Sequence, residues 1–314
     1  MDILYALESI RNPVMTAIMS AVTYLGDEMA FIAIAIIVYW CVSKKYGYYL
    51  MATGMIGTSV NQFLKIVCRV PRPWVRDPDF TIVESARAAA GGYSFPSGHT
   101  QNAVGIIGGT ARFSTKKAVR IVCIVLAALV AFSRMYLGVH YPSDVVFGII
   151  CGLALVFVLY PMFEKFDDGC RPVTILFGVT AAISLIAALF VELHSWPAGT
   201  DAMNLAESTY ALYMIAGCTL ALTIGVPIEA KHIGFDTKAP WWAQILKAVL
   251  GLALVMGLRA GLKPGLAAII GALPIAGGVR YFICVLFVVL VWPQTFPWFS
   301  KGCPLRKAKP ASDQ

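Results

Sequence analysis

Nine apolar runs limit what this chain can become. They fall near residues 29–43, 47–67, 101–112, 118–134, 144–161, 172–192, 205–226, 243–260 and 264–292. A helix needs about 20 mostly apolar residues to cross hydrocarbon, and a backbone in lipid must satisfy its own hydrogen bonds. Several runs meet that length, and none alternates as the strands of a membrane barrel do. Only 13% of the residues are charged, against 59% hydrophobic, which is too little charge for a soluble surface. The expected fold is all-α, a polytopic membrane bundle of about eight or nine transmembrane helices. The last run holds Pro274, Gly277 and Gly278 and reads as a short re-entrant piece followed by a full span.

The segment before Gly26 reads differently. It carries Asp2 and Glu8 and has no basic leader before an apolar core, so it does not read as a cleaved signal peptide. Ile3, Leu4, Leu7 and Ile10 recur at helical spacing, which predicts interfacial helices on the membrane surface. The eight cysteines (Cys41, Cys68, Cys123, Cys151, Cys170, Cys218, Cys284 and Cys303) form no CxxC pair, and most lie inside apolar runs. They read as small buried hydrophobes, not disulfides or metal ligands.

The net charge of +8 is spread through membrane-flanking loops, so no nucleic-acid partner is expected. Its placement orients the chain. Lys44 and Lys45, then Arg112, Lys116, Lys117 and Arg120, then Lys165 and Arg171, Lys231 and Lys238, and finally Lys301, Arg306, Lys307 and Lys309 fall on one face if each run crosses once. By the positive-inside rule that face is the cytoplasm. Loop 68–100 lies opposite, yet holds Arg69, Arg72, Arg76 and Arg87. Arginines kept on the wrong side of a membrane suggest an anion there.

Three stretches on that face carry polar chemistry. In "LKIVCRVPRPW", Lys65 stands near a helix end, with Arg72 seven residues later between Pro71 and Pro73. The two cations share a face if the helix persists; taken alone, they read equally as snorkelling residues at a helix terminus. In "YSFPSGHT", Ser97 can cap the following helix, Gly98 lets the backbone come close to a ligand, and His99 sits beside them. A helix start offers unpaired N–H groups to a phosphate, although an ordinary capped helix looks the same. In "SRMYLGVHYPSD", Arg134 ends one run and His140 precedes Asp144 by four residues. That carboxylate can fix the imidazole tautomer and leave the other nitrogen free to attack; the bland alternative makes Asp144 a helix-dipole partner and His140 an interfacial polar residue. Together the stretches put one lysine, two arginines, two histidines, a helix start and an aspartate on one face. Ionisable groups near membrane depth cost about 2.5–3.5 kcal/mol each, so their joint occurrence points to function.

Lys65 with Arg72-Pro73, Pro96-Ser97-Gly98-His99, and Ser133-Arg134 with His140 and Asp144 resemble, in residue type and spacing, the three motifs of the type 2 phosphatidic acid phosphatase superfamily. That group includes lipid phosphate phosphatases, undecaprenyl pyrophosphate phosphatases and glucose-6-phosphatases. The resemblance covers about residues 60 to 150, with an extension through 29–161. It implies a hydrolase that needs no metal or cofactor, acting on a lipid phosphate or polyprenyl pyrophosphate. Neither a magnesium-holding carboxylate cluster nor an HExxH-type zinc spacing is present in the sequence. In the implied scheme Lys65, Arg72, Ser97, Gly98 and Arg134 hold the phosphate, and His140, oriented by Asp144, attacks phosphorus to form a phosphohistidine. His99 then protonates the leaving oxygen and activates water.

Two other classes share these residues: a phosphotransferase, with an acceptor hydroxyl in place of water, and a transporter or flippase of anionic lipid. The latter leaves the histidine–aspartate pair without a task. Arg76, Asp77, Glu84 and Arg87 receive no role, and Asp27 and Glu28 are weaker candidates on the same face. The expected organisation is interfacial helices over 1–28, a catalytic transmembrane core over 29–161, additional transmembrane helices over 162–300, and a basic cytoplasmic tail over 301–314. The expected location is the plasma membrane, multi-pass, with the site on the non-cytoplasmic face and membrane lipids as surroundings. No oligomeric state follows from the motifs.

Overall fold

The helix that carries Lys65 is the axis of the molecule. The computed structural model describes residues 1–164, 171–271 and 273–300. In chain order its α-helices are α1 (Asp2–Ser9), α2 (Pro13–Thr23), α3 (Glu28–Cys41), α4 (Lys44–Cys68), a single turn α5 (Pro73–Arg76), α6 (Gly98–Ala103), α7 (Gly109–Phe113), α8 (Lys117–Tyr136), α9 (Pro142–Glu164), α10 (Arg171–Leu193), α11 (Ala202–Ile228), α12 (Trp241–Ile270), α13 (Pro274–Leu286) and α14 (Phe296–Phe299). No strand occurs among the described residues. α4 packs against α3, α9, α10 and α11, and this enclosure lets it carry Ser59, Asn61 and Lys65 as buried side chains.

Six helices among the described residues are long and apolar enough to cross a membrane: α8, α9, α10, α11, α12, and the run from α13 to Phe299. A seventh is made if α2 and α3, which meet at a 51° bend, are counted as one broken span. The run expected over 47–67 forms α4, which is too polar for that criterion and packs against α3, α9, α10 and α11. The run over 101–112 forms α6, a π turn (Val104–Gly108) and α7, which together are short.

One boundary expectation is corrected. Residues 264–273 do not make a re-entrant piece. α12 runs unbroken through Pro264 to Ile270, and the chain breaks at Gly271, whose φ of +82° ends the helix. Pro274 then occupies the first turn of α13, where its missing N–H costs nothing. Gly277 and Gly278 lie inside α13 and allow it to approach α11 closely: a Cβ on Gly278 would sit 2.8 Å from the Tyr213 carbonyl oxygen.

The N-terminal helices lie on the protein as well as beside it. Of the α1 face, Leu4 is buried in a cluster with Phe80, Ile82 and Tyr141, while Ile3 and Ile10 stay exposed. α2 packs on α8. The six described cysteines are free; Cys123, Cys218 and Cys284 are buried as expected, whereas Cys68 is exposed at the end of α4. Cys170, Lys165, Cys303 and the tail 301–314 with its basic residues lie outside the described residues. At the end of the bundle away from Lys65, aromatic packing replaces polar chemistry. Tyr39, Trp40, Tyr48, Tyr49, Phe163 and Phe177 form its core, and Lys44 pairs with buried Glu229 at 2.7 Å.

Candidate active site

The three motif stretches converge at one end of α4. The helix stops at Cys68 because Arg69 turns left-handed (φ 47°, ψ 38°). Lys65 and Arg72 therefore do not align along a persisting helix. They meet because the chain reverses between them, and both reach the Gly91 carbonyl oxygen: Lys65 Nζ donates to it at 3.2 Å and Arg72 Nη2 at 2.6 Å. Arg72 Nε donates to the Gly92 carbonyl (3.0 Å) and Nη1 to the Val139 carbonyl (2.9 Å). Gly92 takes φ +70°, a conformation that costs glycine least, and so turns its carbonyl toward the guanidinium. Arg72 is 5% exposed. Burial pulls its pKa down to about 10, with Asp144 and Glu207 opposing.

The same Nη1 donates to His140 Nε2 at 2.9 Å. A guanidinium has no acceptor, so Nε2 must offer its lone pair and the ring proton sits on Nδ1. Nδ1 faces Asp144 Oδ2 at 3.2 Å. His140 is 2% exposed and lies in the turn between α8 and α9. Burial first, then Arg72, Arg134 and Lys65, hold its pKa well below the ordinary histidine value. Asp144 sits in the first turn of α9 and is fully buried. Its Oδ2 also accepts from Ser94 Oγ (2.6 Å) and the Tyr141 backbone N–H (3.0 Å), while Ser143 Oγ reaches Oδ1 at 3.4 Å. The carboxylate is thus held from three sides before it touches the imidazole.

Ser97 caps α6, its Oγ accepting from the Thr100 N–H at 3.4 Å. The cap is locked to the third motif, because the Ser97 N–H donates to the Asp144 carbonyl at 3.1 Å. Gly148 on α9 lets α6 come this close: a Cβ there would lie 2.8 Å from the Ser97 carbonyl oxygen. Gly98 and His99 line a cavity of about 320 Å³ together with Lys65, Arg72 and His140. Arg134 is fully buried; Nη1 donates to Thr23 Oγ1 at 2.6 Å, and its Nε and Nη2 have no hydrogen-bond partner among the described residues. All eight site residues expected from the sequence therefore lie in one neighbourhood, five of them lining this cavity.

Other groups at the cavity were not read from the motifs. Asp27 and Glu28 line it; Asp27 caps α3, accepting from Met29 N–H at 2.9 Å. Asn61, one turn before Lys65, and Gln101 line it and bond each other (3.3 Å). Glu207 enters from α11, and a Cβ on Gly91 would fall 2.6 Å from its Oε2. Glu207 is the lone charge among residues 202–228, and a charge in an apolar run was the signal available for it. Thr23 and Ser94 carry no such signal. Of the unassigned loop residues, Asp77 accepts from Tyr5 Oη and Arg87 pairs with Glu84 at the surface. Arg87 also lines an outer cavity of about 740 Å³ that shares Arg72, Gly91 and Glu207 with the inner one. Among the described residues no group of three His, Cys, Asp or Glu side chains is placed to hold a metal ion.

Residues 43–168 match the PAP2 superfamily, and residues 213–303 match the PAP2 superfamily phosphatase transmembrane extension. The undecaprenyl-diphosphatase BcrC of Bacillus subtilis is 31% identical over 168 residues, covering 52% of this chain and 80% of that protein. Phosphatidylglycerophosphatase B of the same organism is 31% identical over 169 residues, 50% of this chain and 79% of its own length. A probable sphingosine-1-phosphate phosphatase of Dictyostelium discoideum is 26% identical over 245 residues, covering 73% of this chain and 58% of that protein. No solved structure matches the chain.

Proposed function

Because this chain belongs to the PAP2 superfamily, we propose that it is an integral-membrane phosphatase that hydrolyses a lipid phosphate or polyprenyl pyrophosphate through a phosphohistidine. The observation that carries this reading is the line Asp144–His140–Arg72. The proton is on Nδ1 facing the carboxylate, and the Nε2 lone pair faces the guanidinium. A phosphoryl group reaching Nε2 arrives at the cation that neutralises its oxygens, so nucleophile and clamp are positioned together.

In this mechanism Lys65, Arg72, Arg134 and the start of α6 at Ser97 and Gly98 stabilise the charge spreading over the non-bridging oxygens. Nε2 of His140 attacks phosphorus, the bond to the leaving oxygen breaks, and His99 supplies its proton. His99 then takes a proton from water as the water attacks the phosphohistidine, releasing inorganic phosphate and neutral His140. The clamps are side chains, so the reaction requires no metal. Carried over from the named relatives, the substrate is a phosphate or diphosphate ester of a membrane lipid. A transporter or flippase would use the cations alone and leave the Asp144–His140 contact without purpose.

α4 and the α6–α7 run are read as further spans, which brings the total to about eight or nine, with α1 and α2 interfacial. The core is assigned to 29–161 and the added helices to 162–300. Lys44, Lys116, Lys117 and Lys231 lie at helix ends remote from the site, so the site faces the non-cytoplasmic side of the plasma membrane.

The test is phosphate release by detergent-purified protein from phosphatidate, phosphatidylglycerophosphate, undecaprenyl pyrophosphate, sphingoid-base phosphate and glucose 6-phosphate, with His140→Ala as the control. Release from at least one lipid, absent in the variant, is expected. Release by neither protein, or equally by both, overturns the reading. Transfer to an added alcohol in place of release would identify a phosphotransferase.

A further inference from the structure

The catalytic machinery leaves the charges of the C-terminal helices unused. Arg259 and Lys263 on α12 and Arg280 on α13 lie within helices long and apolar enough to span a membrane, where an unpaired charge is costly. Arg259 is compensated: its Nε donates to Tyr281 Oη at 2.9 Å, and the Glu28 carboxylate lies in its field. Arg280 is not. It is 9% exposed, it donates through Nη2 to Tyr210 Oη, and its Nε has no hydrogen-bond partner among the described residues. It joins no ion pair among the described residues. A guanidinium buried this deeply, with its Nε–H unspent and no ion-pair carboxylate among the described residues, calls for an anion.

Space for one adjoins it. A cavity of about 420 Å³ opens between α11, α12 and α13, bordered by Arg280, Lys263 and Tyr210 on its polar side and by Leu266, Ala267 and Leu273 on its apolar side. Tyr210 also lines the catalytic cavity. α13 comes close enough to use Tyr210 as a wall because residue 277 is glycine, where a Cβ would fall 2.4 Å from the Tyr210 ring. The two cavities are thus neighbours across one aromatic side chain.

We propose that the cavity between α11, α12 and α13 is a second, non-catalytic site for the phosphate-bearing headgroup of a lipid, held by Arg280 and Lys263. The planar guanidinium offers its free N–H to a phosphate oxygen, and the exposed, flexible Lys263 ammonium closes on another. The apolar wall takes the first part of the lipid's chains, which is why the ligand is a lipid phosphate rather than free phosphate. The position suits a lipid moving in the membrane plane: it meets these cations first, then passes Tyr210 to reach Lys65 and Arg72. Only this loading role rests on the catalytic reading; the binding does not.

The experiment counts bound lipid. His140→Ala protein, which removes the proposed nucleophile, is mixed in detergent with a phosphonate analogue of phosphatidate and examined by native mass spectrometry. Two bound molecules are expected, and one when Arg280→Gln or Lys263→Gln is added. Lys263 is exposed, so its variant folds even if loss of Arg280 disturbs the bundle. Diacylglycerol, which lacks phosphate, should not fill the second position, and inorganic phosphate should not displace the phosphonate from it. A count of one before mutation, a count unchanged by both variants, filling by diacylglycerol, or displacement by inorganic phosphate each overturns the proposal. Failure of the catalytic reading shows separately, as absence of phosphate release by the unmutated protein.

Discussion

Replacing Asp144 with asparagine isolates one charge. Three of the carboxylate's bonds, from Ser94 Oγ, Tyr141 N–H and His140 Nδ1, end on the single oxygen Oδ2. An asparagine with its carbonyl oxygen in that place keeps all three. Its amide then meets the Ser143 hydroxyl, which can accept. The fold and the tautomer are therefore retained, and only the negative charge is lost. In the proposed mechanism that charge matters when Nε2 attacks phosphorus, because the ring becomes cationic. At the observed 3.2 Å and an effective dielectric constant of about 20, the attraction is about 5 kcal/mol, roughly ten-thousandfold in rate. The assay is inorganic phosphate release from a lipid phosphate in detergent micelles, with thermal melting run in parallel. A drop in kcat of three to four powers of ten, with melting unchanged, is expected on this argument. A loss below about tenfold in a folded variant would refute a charge-stabilised histidine nucleophile.

Further outcomes follow from the same geometry. His99→Ala should slow turnover of alkyl phosphates severely and recover part of its rate with p-nitrophenyl phosphate, whose leaving group departs without a proton; an equal loss for both ends the acid assignment. Activity should survive EDTA and be inhibited by vanadate, and loss on chelation with recovery in magnesium would sink the side-chain clamp. The pKa of His140 is depressed in the fold by burial and neighbouring cations. The unfolded chain therefore binds the extra proton first, and stability should fall as pH drops below about 6.5. His140→Asn should lose less melting temperature than the parent between pH 7 and pH 5, and parallel curves would contradict the burial argument. For sidedness, a membrane-impermeant thiol reagent should label Val75→Cys, in a background where exposed Cys68 is serine, from outside intact cells. A cysteine at Lys116 should stay protected, and the reverse pattern would put the site in the cytoplasm.

Much of this was legible in the sequence because it is local chemistry. Apolar length decides that a segment is a helix able to face lipid, and that property needs no partner; α8, α9 and α10 lie within a few residues of their runs. Residue type decides which side chains can hold phosphate, and the spacing of His140 and Asp144 within one turn fixed their contact. Tertiary structure decided whatever depends on groups far apart in the chain. The left-handed Arg69 brings Lys65 and Arg72 onto one carbonyl, where a continuous helix would have set them two turns apart. Arg72's acceptors at Gly91, Gly92 and Val139 come from two loops, and only their convergence aims the guanidinium at His140. Ser94 reaches Asp144 across 50 positions, and Thr23 reaches Arg134 across 111. The apolar runs 243–260 and 264–292 read as separate in the sequence, but α12 continues through Pro264 to Ile270 and Gly271 ends it. α4 needs its neighbours most: Ser59, Asn61 and Lys65 are buried in it only because other helices surround it, and a sequence states its own polarity without stating what will cover it.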